Sequence, residues 1–182
     1  MSGVGTVASG PRLPYAEVTA EEAERRRREG RRQAPNLQRA IAHAPQVAQN
    51  QASLLWSILD GLDPRLAELV ILQQGLLNEN AYCWGHHVPV AEDLGYTKEQ
   101  IRAIRDHDLS LLDDDDRRVI EYVNAVMART VTDELFAAMR QQLGDERLVK
   151  VTLLVGLYTM INMAQAAMNV PQDEGFGGFE CP

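Results

Sequence analysis

The sequence predicts an all-α protein, and three observations carry that reading. The 182-residue chain is 45% hydrophobic but only 5% aromatic. Its core must therefore come mainly from Ala, Leu, Val, Ile and Met, a palette that favours helices over the aromatic and β-branched runs of strands. Apolar residues recur at helical spacing, and no stretch with a period of two competes with them. Helix start and stop signals punctuate the chain throughout. With domains usually holding roughly 150 residues, one domain is expected, and a chain of this size can bury about 70% of its unfolded surface.

The elements follow in order. Residues 1–17, containing Gly, Ser and Pro, read as a flexible N-terminal arm, residues 18–171 as the helical domain and residues 172–182 as an irregular tail. "TAEE" from Thr19 to Glu22 has the form of a capping box and opens a helix that ends before Pro35. "NLQRAIAH" gives a short helix. Pro45 suits the first position of the next, which Asp60-Gly61 ends. Asp63 and Pro64 restart the chain as N-cap and first helical residue. After "NEN", the segment "AYCWGHHVPVAEDL" is helical in pattern and stops at Gly95, with Pro89 as an interior irregularity that kinks it or shifts its start. "TKEQ" at Thr97–Gln100 is a second capping box. Asp113–Asp116 place acidic groups where a helix dipole favours them, and read as a helix start. Thr132 opens a helix that Gly144 stops, and the last helix runs from "DERLV" to the residues before Pro171. That helix is apolar over much of its circumference, so burial on several sides, partly by another subunit, is expected.

Composition excludes several function classes. A net charge of −8 repels nucleic acid and anionic membranes. The basic run Arg25–Arg32 reads as the solvated face of a helix. No uninterrupted apolar run reaches the length of a membrane span, and "MSGVGTVASGPRLP" lacks the basic and apolar regions of a signal peptide. The two cysteines, Cys83 and Cys181, make no disulfide framework, which fits a reducing compartment, the cytoplasm.

The chain holds only 2 Cys and 4 His, yet Cys83, His86 and His87 fall within five positions. Residues three and four apart share a helix face, so the three are expected to point roughly the same way. With Asn80 as N-cap, Cys83 takes the third helical position, where the dipole should lower a thiol pKa. A nearby imidazole then offers a base. Three readings stand side by side: a small core thiol with polar neighbours, a zinc site that needs ligands from distant segments, and a catalytic group. Glu68 sits among apolar residues, either at the polar edge of its helix or buried. Tyr82 and Trp84 flank Cys83 as pocket walls or as core. Tyr158 and Asn162, one turn apart on the last helix, could bond a substrate or a neighbouring helix.

"NLQRAIAHAPQVAQ", "LDPRLAELVIL", "NAYCWGHHVPVAEDLGYTKEQI", "DDRRVIEYVNAVM" and "LVKVTLLVGLYTMINMAQAAMNVP" together resemble the carboxymuconolactone decarboxylase and alkylhydroperoxidase-D-like (AhpD-like) superfamily, from about Asn36 to Pro171. The spacing of Glu68, Cys83 and His87 is similar to that superfamily's Glu, second Cys and His. The resemblance implies an AhpD-like helical bundle assembled as a homotrimer or homohexamer. It implies catalytic roles for Glu68, Cys83, His86 and His87, and substrate contacts from Asn80, Tyr82, Trp84, Tyr158 and Asn162. Peroxidase members carry Cys-x-x-Cys, with one thiol attacking and the other resolving. Here Asn80 replaces the first Cys. The doubled histidine is more similar to the decarboxylase-like branch.

The leading expectation is a cofactor-free and metal-free enzyme doing acid/base chemistry on a small carbonyl, lactone or polyketide-like molecule by decarboxylation, dehydration, isomerisation or cyclisation. A thiol peroxidase using Cys83 is the alternative. A non-catalytic helical oligomer used as a binding module is the third reading.

Overall fold

The computed structural model describes residues 10–17 and 35–176. Eight α-helices follow one another: α1 (Asn36–Ile41), α2 (Pro45–Leu59), α3 (Pro64–Leu77), α4 (Ala81–Asp93), α5 (Lys98–Arg105), α6 (Asp114–Ala128), α7 (Asp133–Leu143) and α8 (Asp145–Met168). A 3₁₀ turn at Leu109–Leu111 joins α5 to α6. The described residues contain no strand. The Thr19–Glu22 box, the Arg25–Arg32 run and Cys181 lie outside the described residues.

Local chemistry sets the helix starts. Asp63 accepts from the backbone N–H groups of Arg65 and Leu66, Asn80 from Cys83, Asp113 from Asp116 and Thr132 from Leu135. Thr97 and Gln100 form a reciprocal capping box. Each such cap satisfies a donor that has no partner inside its helix, worth about 1 kcal/mol.

Helix α3 is the axis of the bundle and packs against α4, α6 and α8. Leu69, Val70, Ile71 and Leu72 are at most 1% exposed. Four consecutive buried residues face all round the helix, so neighbours must cover every side of it. Each such side chain contributes about 1.5–3 kcal/mol by leaving water. The α3–α4 crossing is close. A Cβ added at Gly75 would stand 3.2 Å from the Trp84 backbone nitrogen. The Asn80 N–H donates to the Gly75 carbonyl at 2.8 Å, which closes the turn between the two helices. Helix α4 runs unbroken through Pro89, so the proline neither ends the helix nor moves its start. It leaves the Gly85 carbonyl without its helical N–H partner.

Two further features concern the ends of the chain and α8. Residues 10–17, the described part of the N-terminal arm, lie against the end of α8. The Arg12 backbone and guanidinium donate to the carbonyls of Met168 (2.9 Å) and Ala167 (2.7 Å). They supply donors that the C-terminus of α8 otherwise lacks. Helix α8 is also long and apolar enough, by length and composition, to cross a membrane. Here its inner face, including Leu148, Val151, Leu154 and Val155, is buried in the bundle core instead. Its outer row of Val149, Leu153, Met160 and Met163 stays about half exposed, so the burial on several sides expected of it is incomplete in one chain.

Candidate active site

Glu68 stands on the first half of α3 and His87 on the middle of α4, and the close crossing of these helices joins them. Glu68 Oε2 lies 2.7 Å from His87 Nδ1. The other ring nitrogen, Nε2, lies 3.3 Å from the Tyr158 hydroxyl of α8. A carboxylate only accepts, so Nδ1 carries the proton of a neutral His87 and Nε2 has the free lone pair. Tyr158 then donates its hydroxyl proton to Nε2. The Tyr158 ring meets the imidazole edge-on, with centroids 5.4 Å apart. Tyr158 is almost wholly buried, and that burial holds its phenol well above the usual tyrosine pKa, with Cys83 and Glu68 adding to the effect. The Glu68 and His87 side chains are 12% and 22% exposed, which leaves only a narrow opening at the imidazole.

Cys83 occupies the third position of α4, as its distance from Asn80 implies, but its thiol is not acidic. Burial pushes its pKa up to about 12, the Glu68 carboxylate adds to the rise, and a hydrogen bond from Asn162 opposes it. The expected lowering by the helix N-terminus fails for a physical reason. The Asn80 side chain already takes the Cys83 N–H at 2.8 Å, and the sulfur has lost its hydration. The thiol points to the Ile71 carbonyl at 3.9 Å.

The three clustered residues do not face one volume. His87 turns inward to α3 and α8, whereas His86 turns outward to the C-terminal segment. His86 Nε2 lies 2.8 Å from Asp173 Oδ2, and its ring stacks on Phe176 with centroids 4.1 Å apart. A difference of one residue rotates a helical side chain by about 100°, enough to separate the two rings. Burial lowers the His86 pKa, while Asp173 pulls it the other way.

The remaining candidates scatter. Trp84 is fully buried in the main core and walls no opening. Tyr82 faces outward and donates to Asp173 Oδ2 at 2.6 Å. It packs with Leu37, Ala40 and Val170 in a second small core. Asn80 is a structural cap whose amide donates to the Asn162 carbonyl (3.2 Å) and Gln165 Oε1 (2.8 Å). Asn162 lies between Cys83 and the Gln74 carbonyl. Sequence reasoning missed Asp173. It sits in an irregular tail with no periodicity to mark it, and nothing in the "QDEG" segment distinguishes it from a solvated acid.

Among the described residues, no group of three or more His, Cys, Asp and Glu is disposed to hold a metal ion. A largely apolar groove of about 370 Å³ runs between α7 and α8, lined by Phe136, Val149 and Leu153 among others. Glu68, Cys83, His87 and Tyr158 take no part in it.

Residues 45–125 match the model of the carboxymuconolactone decarboxylase family, and the bundle has the fold of AhpD-like structures. Three solved structures share the fold. An uncharacterized peroxidase-related protein from Silicibacter sp. TM1040 is 14% identical with a TM-score of 0.79, over 97% of this chain and 98% of that one. The alkylhydroperoxidase AhpD core of an uncharacterized peroxidase-related protein from Ralstonia eutropha JMP134 is 15% identical with a TM-score of 0.79, over 92% and 95%. A Cys-to-Ala variant of the debrominase Bmp8, in complex with 2,3,4-tribromopyrrole, is 13% identical with a TM-score of 0.70, over 89% and 92%. No curated protein is significantly similar to the chain.

Proposed function

We propose that this protein is an enzyme that moves protons on a small carbonyl compound, a lactone or polyketide-like molecule included. The observation that carries this reading is the line from Glu68 through His87 to Tyr158, with contacts of 2.7 and 3.3 Å. Glu68 fixes the tautomer and stabilises the imidazolium that forms. His87 Nε2 takes a proton from carbon next to the substrate carbonyl and returns it to another position or to a leaving group. Tyr158 keeps its proton, and on substrate binding its hydroxyl turns from Nε2 to donate a hydrogen bond to the enolate oxygen. Cys83 stays a neutral thiol and shapes the floor of the site. These roles suit dehydration, isomerisation or cyclisation; in decarboxylation the enolate forms by loss of carbon dioxide, and protonated His87 gives the carbon its proton.

The thiol reading has its own support. Cys83 stands beside Glu68 in the same site, and fold neighbours include peroxidase-related proteins and a debrominase. Against it stand the raised thiol pKa and the presence of Asn80, not a second cysteine, three residues before Cys83. Self-association through the exposed row of α8 is proposed too, since one chain leaves that row unpartnered.

Turnover of a panel of β-keto acids and lactones, set beside turnover of organic hydroperoxides with a dithiol reductant, tests the choice. Proton chemistry that dies with His87→Gln and survives Cys83→Ser supports the reading. Rapid hydroperoxide reduction that dies with Cys83→Ser overturns it.

A further inference from the structure

The C-terminal segment makes more contacts than an irregular tail needs. Val170 is buried in the small core beside Tyr82 and Leu37. The Pro171 and Gln172 carbonyls accept from the Asn36 side chain at 3.3 and 3.5 Å. Asp173 accepts from two donors, the Asn36 backbone N–H at 2.8 Å and the Tyr82 hydroxyl at 2.6 Å, and its Oδ2 also lies 2.8 Å from His86 Nε2 as a charge-pair contact. These donors come from α1 and α4, so one carboxylate ties the segment to both. Gln172 lies against the α4 backbone where Gly85 has no side chain. A Cβ there would stand 2.3 Å from its Nε2. Phe176 then lies flat on His86, within 16° of parallel. Gly175 precedes it at a φ of 90°, a conformation that side-chain-bearing residues rarely adopt.

We propose that Pro171–Phe176 is a latched strap over the outer face of α4, with Asp173 as its pin and Phe176 as the cover that shields and orients His86. The strap makes a second carboxylate–imidazole pair next to the Glu68–His87 pair, about 100° round the same helical turn. When closed, it hides His86 and backs the turn of α4 that carries His87. When open, it exposes an imidazole flanked by the Tyr82 ring, 4.5 Å away. The strap regulates access to that outer face whatever reaction the inner face performs.

Hydrogen–deuterium exchange and carbethoxylation of histidines, both read by mass spectrometry on the full chain, test this without any substrate. In the native protein His86 should react far more slowly than the exposed His107. In Asp173→Asn one of the two accepting oxygens becomes an NH2 group that meets a donor. Exchange at residues 172–176 and carbethoxylation of His86 should then both rise about tenfold or more, with exchange in α3 unchanged. Phe176→Ala should raise His86 reactivity while the Asp173 contacts persist, and it decides the matter if Asp173→Asn does not fold. Native His86 reacting as fast as His107 would overturn the latch. So would Asp173→Asn that changes neither signal or loosens α3 equally, or Phe176→Ala that leaves His86 as slow as before.

Discussion

The inner and outer faces of α4 hold the same chemical parts in different settings. Inward, His87 meets Glu68 from the bundle's central helix and Tyr158 from its longest one. Outward, His86 meets Asp173 and Phe176 from a short irregular segment near the chain end. Both imidazoles have a carboxylate within 2.8 Å. The difference is in what holds the carboxylate. Glu68 is fixed by a helix buried on all sides, so its position costs little additional ordering. Asp173 is fixed only by the contacts it makes, so losing those contacts frees the segment. A rigid pair suits precise proton transfer, and a releasable pair suits gating.

The largest contrast should appear in catalysis. His87→Gln should lower kcat on the proton-transfer substrate by about 100- to 10,000-fold. His86→Gln should lower it far less. Steady-state kinetics on both variants, with circular dichroism to confirm folding, makes the comparison. Equal losses would merge the two faces into one site.

The thiol comes next. With its pKa pushed up to about 12 from 9.0, Cys83 in the folded protein should hold roughly a thousandfold less thiolate than an ordinary cysteine at the same pH. Alkylation by iodoacetamide should be slower in the native protein than in the denatured one by at least that factor. Fast native alkylation at Cys83 would restore the nucleophile reading.

The inner face can also be loosened through its scaffold. Gly75→Ala places a methyl group against α4 backbone that cannot swing aside. It should cost about 1–3 kcal/mol in denaturant unfolding and lower kcat by separating Glu68 from His87. Unchanged stability and activity would show that the crossing has slack.

The smallest effect concerns acid. Burial holds the His86 pKa below 6.5 in the folded chain, so the unfolded chain binds that proton more readily. The stability this gives is complete above about pH 6.5 and is lost as pH falls below it. Unfolding free energy measured across pH 5–8 should fall less steeply at the acid end in His86→Gln. The same slope in both proteins would remove His86 from the acid response.

Most of the helical layout was legible in the sequence. Asp63, Asn80, Thr97, Asp113 and Thr132 cap helices because short polar side chains can satisfy the first free N–H groups wherever they occur. The approach of Glu68 to His87 was legible only through resemblance, since nineteen residues separate them. Two readings failed on packing. Helix position alone made Cys83 acidic, and burial reverses that. Shared-face counting put His86 with His87, and the tail draws His86 away. Of the two readings open for Trp84, pocket wall or core, packing selects the core. Asp173 carried no signal at all, because its partners converge from α1 and α4 and no local pattern records such a meeting.

The central claim is that Glu68 holds the His87 proton on Nδ1, which leaves Nε2, the atom that faces Tyr158, as the base. Nitrogen-15 NMR of the imidazole at neutral pH reads this directly. The account predicts the Nδ1–H tautomer for His87 in the native protein, with that preference lost in Glu68→Gln. A native His87 protonated at Nε2, with Nδ1 bare towards Glu68, would contradict it.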